Sequence, residues 1–469
     1  MHLMKAEEDI GVDQIKESQS EEPWDYVNSL IHFRKDDSQF WWDRTGSMFA
    51  KLLQGAGYSA AEQYRELFFY AMFVAPELGP APDSNGNVQR WESPTTPDCT
   101  PIDFSWEFGS GNNAVVRYSF EPIGPHAGTV LDPLNQYASD NWILRLQKQN
   151  MVPGLDLTWY NYFTHFILPQ EERKRTTGDF IEQTTPKGGV IVALDIEKTG
   201  SMMKTYLYPG LKAEELGVSN LEVIKQAIRG LPSDQYKSLN VEPLLHYLDM
   251  ATAKYGFETL ILGIDCLAPQ DARIKIYVRG PHTSLEYLMD ALTLGGQLDL
   301  SGNEEALTDL KDFWQTFLAD APDILPDALG RANPGFYYTV GYGKPVSAKV
   351  YLSPQYFCKN EKDVLDRLRR YFSTRTSSSV VTDDYEKAVE NIYGTERLKN
   401  HCGSHYYVGC ALHKGRLRVV TYLNPQIFDR EKELIKDKLI PSAAHSGGSS
   451  SYYDTFLASI GAIGRRILG

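Results

Sequence analysis

A short polar pattern, Lys/Arg-x-Tyr, returns on three separate strand-like stretches of this 469-residue chain. It reads Lys204-Thr-Tyr206-Leu-Tyr208, Arg273-Ile-Lys275-Ile-Tyr277 and Lys349-Val-Tyr351. Residues two apart in a strand face the same side, so each stretch lines one wall with cations and phenols and turns apolar side chains to the other. The tyrosines recur at almost one period: 71 residues from Tyr206 to Tyr277, 74 on to Tyr351, and 71 more to Tyr422 in Val419-Val-Thr-Tyr422-Leu. A repeat of that size points to one structural unit used several times. Its inner surface is basic and aromatic although the formal net charge is −14. Such a surface suits an anionic leaving group beside a carbocation.

The segments between these stretches repeat as well. Turn chemistry in Gly109-Ser-Gly-Asn-Asn113 joins Ile102–Phe108 to Ala114–Phe120 as a hairpin. Further strand pairs follow at Gly189–Ile196 and Met202–Tyr208, Thr259–Asp265 and Arg273–Val278, Gly335–Tyr342 and Ala348–Leu352, and Ser404–Leu412 and Arg416–Leu423. Helical periodicity precedes most pairs twice, for example over Asn220–Arg229 and Val241–Tyr255. Regular helix-helix-strand-strand repetition predicts an α+β fold in which ten antiparallel strands close around a lumen with the helices outside. The expected organisation is a tail over 1–22, one barrel domain over 23–430 and a C-terminal extension over 431–469, with Ser446–Ser451 as a flexible linker.

An acidic chain lacks the basic footprint of general nucleic-acid binding and of docking on anionic membranes. No apolar run approaches the ~20 residues of a membrane span. Five cysteines without a CxxC pair, after a charged start, predict a cytosolic protein without disulfides. Twenty-eight tyrosines are many for this length and require a place to sit.

The ordered motifs Phe40-Trp41-Trp42-x-x-Thr45, Pro101-Ile-Asp103-Phe-Ser105, Val116-Arg117-x-x-x-Glu121-Pro122, Ala193-Leu-Asp195, Lys204-Thr-Tyr206-x-Tyr208-Pro209, Arg273-Ile-Lys275-Ile-Tyr277 and Leu294-Gly-Gly296 resemble the fungal dimethylallyltryptophan synthase-type aromatic prenyltransferases. The resemblance runs from about residue 23 to Asn424. It implies an ααββ-repeat (ABBA) barrel, dimethylallyl diphosphate as donor and an aromatic small-molecule acceptor, commonly an indole.

Alkylating an aromatic ring this way requires ionising an allylic diphosphate while keeping its cation from water. Cations must take the charge that builds on the departing diphosphate, and Arg117, Lys204, Arg273, Lys275 and Lys349 are the candidates; the plainer reading makes them partners of buried carboxylates. Tyr206, Tyr277, Tyr351, Tyr407 and Tyr422 could ring the prenyl chain, their π faces stabilising its cation and their bulk excluding water. Tyr208 shares that face with a less defined role. The proton-removing or acceptor-binding carboxylate falls at Asp103, where the family usually has Glu, with Glu107 on the same strand face as the alternative.

Other departures narrow the acceptor. Ile191 replaces a Lys of tryptophan C4-prenylating members, His413 an Arg, and Lys349 a frequent Gln. The expected acceptor is therefore an indole compound larger than tryptophan, such as an indole diterpene or alkaloid. A phenolic acceptor (a tyrosine derivative, xanthone or other polyketide) is the alternative, and a non-catalytic barrel carrying an apolar ligand is the rival class. No DDxxD-type run is present, which predicts metal-independent chemistry without a cofactor. His401-x-x-x-His405 beside Cys402 has metal-like spacing but no evident third ligand. A monomer or homodimer is expected.

Overall fold

A computed structural model describes residues 22–109, 114–168, 189–197, 200–318, 321–322, 333–375, 379–413 and 415–430. The expected tail up to residue 21, the tip of the first hairpin at 110–113, and the extension 431–469 with its Ser446–Ser451 linker lie outside them.

Ten strands close into one antiparallel barrel: β1 Ile102–Phe108, β2 Val115–Phe120, β3 Val190–Glu197, β4 Gly200–Leu207, β5 Glu258–Asp265, β6 Arg273–Arg279, β7 Gly335–Gly341, β8 Ser347–Leu352, β9 His405–His413 and β10 Arg416–Leu423. Each strand pairs with its sequence neighbours, and β1 also pairs with β10, so no edge is left. Period-two alternation explains why these sequences form the wall. In β6, Ile274, Ile276 and Val278 are buried against the outer helices, while Arg273, Lys275 and Tyr277 fall on the opposite face. Each such outward side chain contributes roughly 1.5–3 kcal/mol on leaving water.

Helices cover the outside, and their caps are written in the sequence. Ser59 and Glu62 form a reciprocal capping box at Ala60–Phe73; Ser219, Ser284 and Asn360 cap Asn220–Arg229, Leu285–Thr293 and Glu361–Ser373. The described helices outnumber the expected pairs, because short ones also form at Gly210–Leu216, Ser233–Leu239 and Thr395–Asn400.

The Phe40-Trp41-Trp42-x-x-Thr45 motif is structural. It spans a π-helical turn, Trp42–Gly46, between Asp36–Trp41 and Ser47–Gly55. Trp41 Nε1 donates to the Gly79 carbonyl at 2.9 Å and Trp42 Nε1 to Asn28 at 2.8 Å. The Trp42 ring lies over Gly46, where an added Cβ would sit 2.7 Å from it. These are the packed core contacts expected of a buried helix face.

Candidate active site

The strand registers place the inward side chains in two groups along the lumen. Near one end, Arg117 of β2 stands opposite Asp195 of β3, and Lys204 of β4 opposite Asp265 of β5. Asp195 accepts from Arg117 Nε at 3.0 Å and from Lys204. Asp265, without solvent exposure, accepts from Arg273 Nε at 2.5 Å and from Lys275. Glu107 of β1 accepts from Arg117 Nη2 at 2.6 Å and Arg418 Nε at 2.8 Å. All five expected cations thus line one region, four of them as partners of buried carboxylates. Arg418, in phase with Tyr422 on β10, is a sixth.

Lys349 differs from the rest. Among the described residues no carboxylate lies within ion-pair distance of it; its Nζ donates to the Tyr422 hydroxyl at 2.9 Å and stands 5.2 and 5.1 Å from the ring centres of Tyr351 and Tyr422. Six cations therefore face three ion-paired carboxylates, and the region is positively charged.

The electrostatics follow from burial set against pairing. Burial would raise the pKa of Asp195, but Lys204 and Arg117 outweigh it and hold this carboxylate well below its usual range. Burial would likewise raise Glu107, and Arg117 and Arg418 reverse the shift downward. Glu107 shares the inward face with Asp103 as expected, yet it is held charged between two guanidiniums. Burial lowers Lys275 to about 8, with Asp265 opposing. Burial, reinforced by Arg117, lowers Lys349 to about 7.

Next to the cations the tyrosines form a continuous shell. Tyr206 meets Tyr277 edge-on with ring centres 5.8 Å apart. Tyr351 lies 5.7 Å from Tyr407 and 5.5 Å from Tyr422. Tyr337 of β7 completes the ring, 4.9 Å from Tyr277 and 5.7 Å from Tyr351. Gly263 makes the first of these contacts possible, since a Cβ there would lie 3.1 Å from Tyr277 and 3.2 Å from Tyr206.

Toward the other end, Asp103 of β1 is buried opposite Ser119 of β2. Oδ1 accepts the Ser119 backbone N–H at 3.0 Å and the Ser119 hydroxyl; Oδ2 accepts the Tyr406 hydroxyl. Burial raises its pKa to about 6, opposed by those hydrogen bonds. Tyr208, just past β4, senses the charges of Glu121, Tyr407 and Asp103, which places its phenol at this end.

A pocket of about 250 Å³ opens at the cationic end, between Arg273, Tyr337, Lys344, Lys349, His413 and Arg418. A larger one, about 410 Å³, lies outside the barrel at Thr283 and Trp314, and none of the described residues lining it is charged. His405 is engaged by Glu361 at Nδ1, 2.5 Å, and by Tyr385 at Nε2, 2.6 Å, so its spacing from His401 and Cys402 reflects buried hydrogen bonding.

A closed ten-stranded ααββ barrel with a cationic, tyrosine-lined lumen is the architecture of ABBA aromatic prenyltransferases. The tryptophan dimethylallyltransferase family model matches residues 37–388, and the chain belongs to this family of prenyl-transferring enzymes. It is 31% identical to 4-O-dimethylallyl-L-tyrosine synthase of Claviceps purpurea over 402 residues, 83% of this chain and 88% of that protein. It is 28% identical to xanthone prenyltransferase B of Emericella nidulans over 441 residues, 87% of this chain and 92% of that one. The crystal structure of AnaPT from Neosartorya fischeri shares the fold with TM-score 0.76 at 21% identity, covering 86% of this chain and 98% of that one.

Proposed function

We propose that the enzyme transfers a dimethylallyl group from dimethylallyl diphosphate to an aromatic acceptor whose O–H or N–H rests on Asp103. The observation that carries this reading is the division of the lumen: surplus cations at one end, tyrosine rings between, and beyond them the buried Asp103 carboxylate, which no cation among the described residues pairs with. The allylic C–O bond breaks with its electron pair leaving on diphosphate, and Arg117, Lys204, Arg273, Lys275, Lys349 and Arg418 take the developing charge. Tyr206, Tyr277, Tyr337, Tyr351, Tyr407 and Tyr422 then face the allylic cation, each π face stabilising it by ~2 kcal/mol when desolvated. The acceptor's electrons form the new bond, and the proton it releases passes to Asp103.

Within that reading a phenol is the favoured acceptor. A phenol O–H, at about 10, is far nearer in pKa to Asp103 than the weakly acidic pyrrole-type N–H of an indole, and two of the most similar relatives bear tyrosine and xanthone names. The indole acceptor expected from the motifs is the second reading, favoured by the family's tryptophan description. Incubation with dimethylallyl diphosphate and a panel of tyrosine, a hydroxyxanthone, tryptophan and an indole cyclic dipeptide, followed by mass spectrometry, separates the readings. A mass gain of one dimethylallyl group on the phenols alone supports the first, on the indoles alone the second. No gain on any, with intact diphosphate binding, points to the carrier class.

A further inference from the structure

Strict alternation along β9 would turn Tyr407 into the lumen and Tyr406 out toward the helices. The register shifts instead: Tyr422 pairs with Tyr407, but Leu423 pairs with His405, so Tyr406 is the extra residue of a β-bulge. His405 consequently faces outward to Tyr385 and Glu361. Tyr406 and Tyr407 both reach the lumen side, their ring centres 4.8 Å apart, and Tyr406 lies 6.3 Å from Tyr422. The re-aimed phenol bonds Asp103 across 303 residues of sequence.

A carboxylate offers about four acceptor directions. Ser119 takes two on Oδ1 and Tyr406 one on Oδ2, which leaves one on Oδ2. We propose that Tyr406, delivered by the bulge, is a positioning residue that fixes the plane of the Asp103 carboxylate and leaves this last direction for the acceptor's O–H or N–H. The proposal rests on the reading of Asp103 as the acceptor-contacting group. It also accounts for a side chain one methylene shorter than the family's Glu: an aspartate cannot reach far across the lumen, so the wall brings a donor to it.

The groups that face Asp103 are neutral hydroxyls and phenols, with one other carboxyl at this end: Glu121, just past β2 and buried, whose pKa burial raises to about 7 and whose Oε1 accepts from Trp91 and Asn135. Ser119 comes from β2, Tyr206 and Tyr208 from β4 and its end, Tyr406 from β9 and Tyr422 from β10. Among the described residues no Lys, Arg or His forms an ion pair with it. Hydrogen bonds from Tyr406 and Ser119 are thus the main forces keeping its pKa from rising further with burial.

The test is the pH dependence of kcat/KM for the acceptor, in wild type, Tyr406→Phe, Asp103→Asn and the double variant, with diphosphate binding as the control for folding. Activity needs the carboxylate deprotonated, so it is lost as pH falls through the Asp103 pKa. Tyr406→Phe removes a donor to the charged form, and the acid limb should move up by about one unit, an about fivefold loss at pH 6. Replacing Tyr406 with 3-fluorotyrosine, a stronger donor of nearly the same shape, should move the limb down. The double variant should be no worse than Asp103→Asn. An unmoved limb in both Tyr406 replacements, or additive losses in the double variant, overturns the role of Tyr406. If Asp103→Asn itself keeps the acid limb, the reading of Asp103 fails, and the proposal with it.

Discussion

At the Glu107 end of the barrel six cations face three carboxylates, and five of them pair with these; at the Asp103 end Asp103 is held by two neutral hydroxyls and a backbone N–H. Both ends are built from the same inward-facing strand positions, and β1 and β2 contribute to each. What differs is the charge each end is ready to receive. Surplus cations wait for a diphosphate. A carboxylate whose pKa is raised by burial waits for a proton. Pairing explains why so many cations can be buried at all: each carboxylate offsets the desolvation of its neighbours, and the unpaired positive charge remains for the ligand.

The sharpest way to break this contrast is to neutralise the Asp103 end. Asp103→Asn keeps the shape but cannot accept the proton, and transfer should fall by about 10²–10⁴, with donor binding intact and diphosphate hydrolysis persisting. Glu107→Gln should leave proton removal untouched and act on donor KM, because its partners are Arg117 and Arg418. The reverse pattern in steady-state kinetics would exchange the roles of the two carboxylates.

Lys204→Ala and Lys275→Ala probe the cationic end. Each should lower turnover tenfold to a hundredfold, since a charge-assisted contact is worth roughly 1.5–3 kcal/mol. Folding should be spared, because Asp195 keeps Arg117 and Asp265 keeps Arg273. Equal losses of activity and thermal stability would mark the pairs as structural.

Lys349 should link donor binding to pH. With a pKa of about 7 in the free protein, it is charged below pH 7 and mostly neutral at pH 8.5. An arriving diphosphate raises that pKa, so binding above pH 7 takes up a proton, and affinity weakens as pH rises. Calorimetry with inorganic diphosphate in two buffers of different ionisation enthalpy should report an uptake approaching one proton at pH 8.5, with Lys275 adding a smaller share. Lys349→Gln should remove most of it. The smallest expected effect is that of chelation: turnover should persist in EDTA, and full loss restored by magnesium would assign charge neutralisation to a metal in place of these side chains.

The strands were legible because most carry a two-residue alternation, broken by register shifts in β5 and β9, and β1 and β10 fall where the sequence predicts them. The expected cations and tyrosines gather for the same reason: their strands keep one phase. Asp195 and Asp265 lie on those faces as well, but pairing across strands depends on register, which a single strand's pattern does not contain. Arg418 was open to the same alternation argument, two steps from Tyr422. Tyr337 carries no Lys/Arg-x-Tyr signal and becomes visible only once β7 is set between β6 and β8. Tyr406 was hidden by the rule that found its neighbour: if Tyr407 points inward, alternation sends Tyr406 outward, and only a bulge places both on one side.

Closure of the barrel also sets a timetable for the chain. The first strand takes its last neighbour, β10, 315 residues later in sequence, as the Thr421–Trp106 contact marks. At about 5–20 residues per second of synthesis, β1 waits roughly 15–60 s for that partner. Until then β1 and the growing end of the sheet each expose an unpaired edge, and the lumen has no seal. The site is completed by the seam, since Tyr406 and Arg418 reach Asp103 and Glu107 only when the last hairpin docks. A chain halted before residue 405 would therefore lack the clamp on its carboxylate as well as the final wall, and would be a substrate for chaperones before it could be an enzyme.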